Sequence, residues 1–464
     1  MQELWRLGAV RLAELLRGGE VSSREVVEAH LRRIEEVNSG LNAIVRVLDD
    51  EALAAADAAD DALGAGEPLG PLHGVPFTVK ENIAVAGTPT TSGMALFADA
   101  IAPRDDPAVE RLRVSGGIPI GRTNLPDMAF RSQTHSSLHG LTLNPWNRAH
   151  TAGGSSGGEA AAIAAGMSPL GLGNDLGGSV RLPAHCCGIA AIKPTAGVVP
   201  AYAPNPAGLG AQMMAVTGIM ARHVEDLVAG LQTVSGLHSR DPRTVPAMLV
   251  DISEAPLRIV VQDMPSGMRT DSEVSAAVAT AADALAAAGH TVIADIAVPF
   301  AETAELWSEL LAPELAMQRP VAVKNLDPGV IRIMDAVIAR QPRLDADTWS
   351  AAWSERFRRN REWAKLFEHV DIVLAPTLTV PSIDLDADIA TPESAQATLD
   401  TFAPTTVASV AGLPAATVPV AVADDTPISV QILSGYYRDF VALGCAQILE
   451  DTFGTITPIQ PRTS

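Results

Sequence analysis

Two glycine-serine runs in the middle of the chain restrict its fold more than any other feature. The first is Gly153-Gly154-Ser155-Ser156-Gly157-Gly158, and the second is Asp175-Leu176-Gly177-Gly178-Ser179-Val180-Arg181. Between them, Ala160 to Ala165 reads as a compact helix of small residues, which lets backbones approach closely. A flexible linker would not run at once into the helix-forming stretch Glu159 to Ala165. A phosphate-cradling nest lacks the lysine and Ser/Thr that would complete a P-loop after Gly158. Gly153 to Gly157 matches the nucleophile-elbow pattern G-x-S-x-G, but Asn147 to Ala152 is not the apolar strand that an elbow ends. A serine flanked by glycines is open to substrate, and successive glycine N–H groups can point at a developing oxyanion. Both requirements of acyl transfer are therefore present.

A serine hydroxyl is a weak nucleophile at neutral pH and needs a base, histidine or lysine. Lysine serves only when neutral, so it must be desolvated. Lys80 ends the apolar run Val75 to Val79 and is a candidate, although on spacing alone a lysine after a strand is more often solvated.

Around these motifs the texture is α/β. Residues 9–65 read as helices: Ser22 and Glu25 form a capping box, and Val27, Leu31 and Ile34 fall on one helical face. Gly74 to Asn82 reads as a buried strand ending at a polar site. Leu257 to Val261 and Thr291 to Val298 read as strands flanking a helix marked by Val274, Val278 and Leu285 and stopped by Gly289. Residues 300–370 are helical and carry Trp307, Trp349, Trp353 and Trp363, covering the core or a pocket. Asp371 to Thr377 and Pro427 to Ile432 read as further buried strands. No repeat or long linker divides the chain, so one domain over 1–464 is expected, with a helical layer at about 1–65, a catalytic core at about 66–240 and a covering region at about 241–464.

Composition narrows the functional classes. Hydrophobic residues make up 47% and charged residues 19%, which is the balance of an ordered globule. A net charge of -21 repels nucleic acid and anionic membrane. Three cysteines, two of them adjacent (Cys186 and Cys187), exclude a disulfide framework. The N-terminus lacks a basic segment followed by an apolar run, and no stretch of about 20 apolar residues occurs, so a cytoplasmic protein is expected. The histidines show no metal-ligand spacing, and neither a metal nor an organic cofactor is implied.

Taken together, these motifs resemble the amidase signature family. The similarity runs over Gly74 to Asn82, Thr123-Asn124-Leu125, Asn144-Pro145-Trp146, Ala152 to Gly166 and Asn174 to Pro194. It resumes at Asp371 to Pro376, Ala411 to Pro414 and Ser429 to Gln431. The resemblance implies an α/β fold, a central mixed sheet of about eleven strands covered by helices on both faces. It implies a triad of Lys80 as base, Ser155 as bridging serine on a cis peptide, and Ser179 as nucleophile. The separations, 75 and 24 residues, are typical of the family. Backbone N–H groups of Leu176, Gly177, Gly178 and Ser179 would form the oxyanion hole, with Ser156, Asp175 and Arg181 supporting the loops. This sequence departs from the family in having Glu81 where Asp is common, and His185-Cys186-Cys187 where small or aromatic residues are usual; His185 and both cysteines read as structural.

The implied activity is hydrolysis of small aliphatic or aryl amides, with aryl carbamates (urethanes) presenting the same geometry. The expected partner is a small-molecule substrate, with no nucleic acid and no membrane, and a homo-oligomer is allowed. Met94, Phe97, Leu209, Met213 and Met214 are candidates for an apolar pocket, within segments Thr90 to Phe97, His135 to Leu138, Tyr202 to Met214 and 300–370. The alternative is a glutamine-dependent amidotransferase component that works in a complex on aminoacyl-tRNA; the acidic composition and Gly435 to Phe440 speak against it. A catalytically silent scaffold would have no need of Lys80 and both serines.

Overall fold

The computed structural model describes residues 3–202, 208–246, 256–263, 265, 268–294, 296–457 and 459–462. Its strands are β1 (Ile44–Val47), β2 (Pro76–Lys80), β3 (Ile118–Thr123), β4 (His135–Ser136), β5 (Gly140–Leu141), β6 (Leu170–Asp175) and β7 (Ala190–Lys193). They continue with β8 (Val216–Ala221), β9 (Arg258–Val261), β10 (Thr291–Ile293), β11 (Ile372–Pro376), β12 (Ala415–Ala423) and β13 (Thr426–Ser434). Eleven form one mixed sheet in the order β1-β3-β2-β6-β8-β7-β12-β13-β11-β9-β10, and β4 and β5 pair separately. The α/β fold with a large mixed sheet is the expected one.

Successive side chains of a strand point to opposite faces, and the cores follow that alternation. On one face Phe77, Val79, Ile192, Ile219, Ile372, Leu374, Val430 and Ile432 join the largest apolar cluster. Leu12, Leu227, Val278 and Val441 reach the same cluster from four helices, Ala9–Arg17, Val224–Val234, Ser272–Ala287 and Asp439–Phe453. On the other face Ala191 and Met220 pack with the small-residue helix Gly157–Ala164, and Val373, Ala375 and Leu433 pack under the helix Ala403–Ala411. Thr78 and Lys80, alternating with Phe77 and Val79 on β2, therefore point to this second face, where both glycine-serine turns lie.

The capping box forms as the sequence predicts, with Ser22 accepting from the Glu25 N–H and Glu25 reaching back to the Ser22 N–H. Two expectations need correction. Residues 9–65 are not helical throughout, because Ile44–Val47 forms β1 against β3 at a sheet edge. A four-residue strand between helices carries too short an alternation to be read locally. Among the described residues of the expected strand Thr291 to Val298, pairing covers Thr291–Ile293, against Arg258 to Val260 of the four-residue β9, which is too short to partner an eight-residue strand. The helices Phe300–Asn325, Pro328–Ala339 and Ala346–Leu366 occupy the predicted 300–370 region.

Candidate active site

Lys80 is the last residue of β2 and is completely buried. Its Nζ lies 2.7 Å from Ser155 Oγ and donates to Asn174 Oδ1 at 2.7 Å. Burial lowers its pKa from 10.5 to about 7, against the opposing pull of the Asp175 and Glu159 carboxylates. The Gly154–Ser155 peptide is cis. Glu159, at the start of the helix that follows, is also fully buried and accepts from Thr78 Oγ1 and, at 2.8 Å, from Thr123 Oγ1. Burial pushes this carboxyl up, and the two hydroxyls, Lys80 and Arg122 hold it partly down.

Close approach of this helix to the sheet requires glycine on β6. A Cβ on Gly171 would collide with the Glu159 carboxylate, which the two threonines hold in place. A Cβ on Gly173 would come to 2.9 Å from Ser156 Oγ. Gly171→Ala is accordingly expected to lose about 1–3 kcal/mol of stability, measured by urea unfolding, because Glu159 must give up its hydroxyl partners.

The second turn leaves the end of β6 and is tied by Asp175 and Arg181, both without solvent exposure. Arg181 Nε donates to Asp175 Oδ2 at 3.0 Å and Nη2 to Oδ1 at 2.9 Å. The same carboxylate accepts from the Gly178 N–H at 2.8 Å, the Val180 N–H at 3.2 Å and Ser409 Oγ at 3.2 Å. Arg181 Nη1 continues to Gln431 Oε1 at 3.0 Å. Burial would raise the Asp175 pKa, but Arg181, Lys193 and the Gly178 N–H outweigh it and the pKa is lowered. The two turns are joined by the Ser156 N–H, which donates to the Ser179 carbonyl at 3.1 Å. Ser156 thus acts through its backbone; its buried hydroxyl has no partner among the described residues.

Ser179 is partly exposed and lines an open cavity. The wall is apolar, built by Phe130, Leu176, Leu182, Trp307, Ile333 and Phe402. Arg131 also borders it, but its guanidinium is held at 2.9 Å by Asp388 and at 2.7 Å by Asp386. The structure therefore brings Lys80 and Ser155 into contact and Ser179 to the cavity. Gly178 differs from the other three residues proposed for an oxyanion hole, because its N–H is already taken by Asp175.

The pocket residues expected from sequence fare less well. Met94 and Met214 are core, Met213 is half-buried, and Phe97 and Leu209 are 42% exposed; none of the five lines this cavity. Trp307 and Ile333 come from the predicted 300–370 region, whereas residues 203–207 of the Tyr202 to Met214 segment lie outside the described residues. His185 is structural as expected: it accepts from the Ser429 N–H at Nδ1 and donates from Nε2 to the Pro381 carbonyl, with its pKa lowered to about 4 by burial. Cys186, Cys187 and Cys445 are buried and free. Sequence patterns give no role to Glu159, Asn174, Ser409 or Gln431. A lone carboxylate in the alanine run after Gly158 is the available signal for Glu159.

Comparison with known proteins gives the family of the chain. A family model described as amidase matches residues 25–443, and the chain belongs to the amidase signature family. It is an amide-hydrolysing enzyme. It is 39% identical over 460 residues to the indoleacetamide hydrolase of Bradyrhizobium diazoefficiens, covering 98% of this chain and 88% of that protein. It is 31% identical over 468 residues to the A-type component of the glutamyl-tRNA(Gln) amidotransferase from Chromohalobacter salexigens, with 94% of each chain covered. The solved structure of 6-aminohexanoate cyclic dimer hydrolase complexed with substrate superposes with a TM-score of 0.84 at 29% identity, covering 99% of both chains.

Proposed function

We propose that this enzyme hydrolyses small aliphatic or aryl amides through an acyl-enzyme on Ser179, with Ser155 and Lys80 relaying protons. The observation that carries the proposal is the fully buried Lys80 amine 2.7 Å from Ser155 Oγ, next to an apolar cavity lined by Ser179. Desolvation keeps part of the lysine neutral near pH 7, which is the form able to accept a proton. As Ser179 Oγ attacks the carbonyl carbon, its proton passes to Ser155, whose own proton passes to Lys80. The tetrahedral oxyanion is met by the N–H groups of Leu176, Gly177 and Ser179, because Gly178 is engaged by Asp175. The C–N bond then breaks while the same path returns a proton to the departing amine, and water hydrolyses the acyl ester. Asp175 and Arg181 hold the nucleophile turn.

The cavity wall of Trp307, Phe402, Phe130 and three aliphatic residues favours an aryl or alkyl group over a charged one. Indole-3-acetamide enters the test panel because of the named relative, and aryl carbamates because their carbonyl and amine present the same geometry. Release of amine or ammonia from indole-3-acetamide, short aliphatic amides, 4-nitroanilides, an aryl urethane and glutamine is the deciding measurement. Cleavage of an aryl or aliphatic amide by the isolated chain supports the proposal. Cleavage of glutamine alone, and only with a co-expressed partner, would instead favour the amidotransferase reading suggested by the second relative.

The relay also sets a pH dependence. Neutral Lys80 is the active base, so kcat/KM is expected to rise with pH through about 7. The Glu159 carboxylate raises the Lys80 pKa, so Glu159→Gln is expected to move this acid limb to lower pH. Profiles between about pH 5 and 9 check the sign, and a limb that moves upward contradicts the assignment.

A further inference from the structure

The indole of Trp307 makes one hydrogen bond, from Nε1–H to the carbonyl of Leu176 at 3.0 Å. Leu176 and Gly177 share a peptide plane, and in a trans peptide the C=O and N–H point in opposite directions. Fixing the Leu176 carbonyl on the indole therefore fixes the Gly177 N–H on the opposite side. The next plane is held as well: Thr405 Oγ1 shares its one proton between the carbonyls of Gly177 at 2.7 Å and Phe402 at 2.6 Å, and the Gly178 N–H at the far side of the Gly177 carbonyl's plane meets Asp175. Both braces come from helices distant in sequence, Phe300–Asn325 and Ala403–Ala411. The indole is itself locked edge-on against Phe402, with ring centroids 6.1 Å apart and planes at 89°. Gly177 has to be glycine for this approach, since a Cβ there would lie 2.7 Å from Trp307 Nε1.

We infer that Trp307 is a positioning residue for the reaction: through the Leu176 carbonyl it aims the Gly177 N–H at the oxyanion, while its ring forms a wall of the substrate cavity. The cavity wall and the oxyanion hole are thus one mechanical unit. The inference rests on Ser179 as nucleophile and on the N–H groups of Leu176, Gly177 and Ser179 as oxyanion donors. Its consequence differs from that of a simple wall residue. A wall residue matters only to substrates that touch it, whereas a brace on an oxyanion donor matters to every substrate.

Trp307→Phe keeps the aromatic ring and removes the N–H donor. In the full-length enzyme, kcat is expected to fall about 10-fold or more for both acetamide and an aryl amide, with KM for either changed by less than about twofold. Binding of a boronate, which forms a tetrahedral adduct on serine, is expected to weaken in parallel with kcat. Thr405→Val frees the carbonyl of Gly177 itself, so it loosens from its other end the residue whose N–H is the donor; it leaves the described cavity wall intact and is expected to lower kcat in the same pattern. It provides the answer should Trp307→Phe fail to fold. If either folded variant loses activity only on the aryl amide, or loses it wholly through KM, the brace is refuted. If Ser179→Ala retains activity, the nucleophile assignment fails first, and the two failures are distinguishable.

Discussion

Ser179→Ala is expected to lose on the order of 10^4- to 10^6-fold in kcat while still binding substrate, because it removes the hydroxyl proposed to form the acyl-enzyme. The comparison that gives this its meaning is Lys80→Ala. That variant keeps the proposed nucleophile and loses the proposed base, so on the order of 10^2- to 10^4-fold is expected from it. A fluorophosphonate that labels serine nucleophiles separates the roles: wild type is labelled at Ser179, Ser179→Ala is not labelled, and Lys80→Ala is labelled slowly at the same residue. Labelling at Ser155 instead would reverse the serine roles. Such a reversal would be surprising physically, since Ser155 is 1% exposed and faces Lys80, whereas Ser179 lines the cavity.

Arg181→Met is expected to destabilise the protein by about 3–5 kcal/mol, the largest stability effect at this site. It leaves Asp175 buried without its bidentate partner. The wild-type Asp175 pKa is below its ordinary value of 3.8, so its contribution is full above the unfolded pKa and is lost as pH falls through the folded one. In the variant, burial dominates and raises the pKa. The deficit is then largest at neutral pH and shrinks as pH falls, because the carboxyl takes up a proton. Urea unfolding at neutral pH and near pH 5 reads both the size and the sign. A deficit below about 1 kcal/mol, or one that widens in acid, would contradict this account of the clamp. The double variant Asp175→Leu with Arg181→Met is expected to recover much of the loss, since replacing both members of a buried pair is often close to neutral.

Features encoded within a few residues are legible in the chain. The Ser22/Glu25 capping box, the buried strand ending at Lys80, and the two turns carrying Ser155 and Ser179 depend on neighbours in sequence, and they form where the sequence predicts. Strand β1 and the short extent of β10 are not legible, because an edge strand is defined by pairing with a partner that lies elsewhere in the chain. The cavity wall does not fall on Met94, Phe97, Leu209, Met213 and Met214 for a related reason: apolar residues look alike until the fold decides which of them meet.

The sequence by itself determined the family and with it amide hydrolysis, since the glycine-flanked serines and the lysine at the end of an apolar strand are among the motifs by which the chain resembles the amidase signature family. Only the tertiary structure decided how those groups are held. Asn174 on Lys80, Gln431 on Arg181, Trp307 on Leu176 and Thr405 on Gly177 join residues 94, 250, 131 and 228 positions apart. Hydrogen-bond partners at such separations are selected by the order of strands in the sheet and the helices laid across it. No local pattern encodes them.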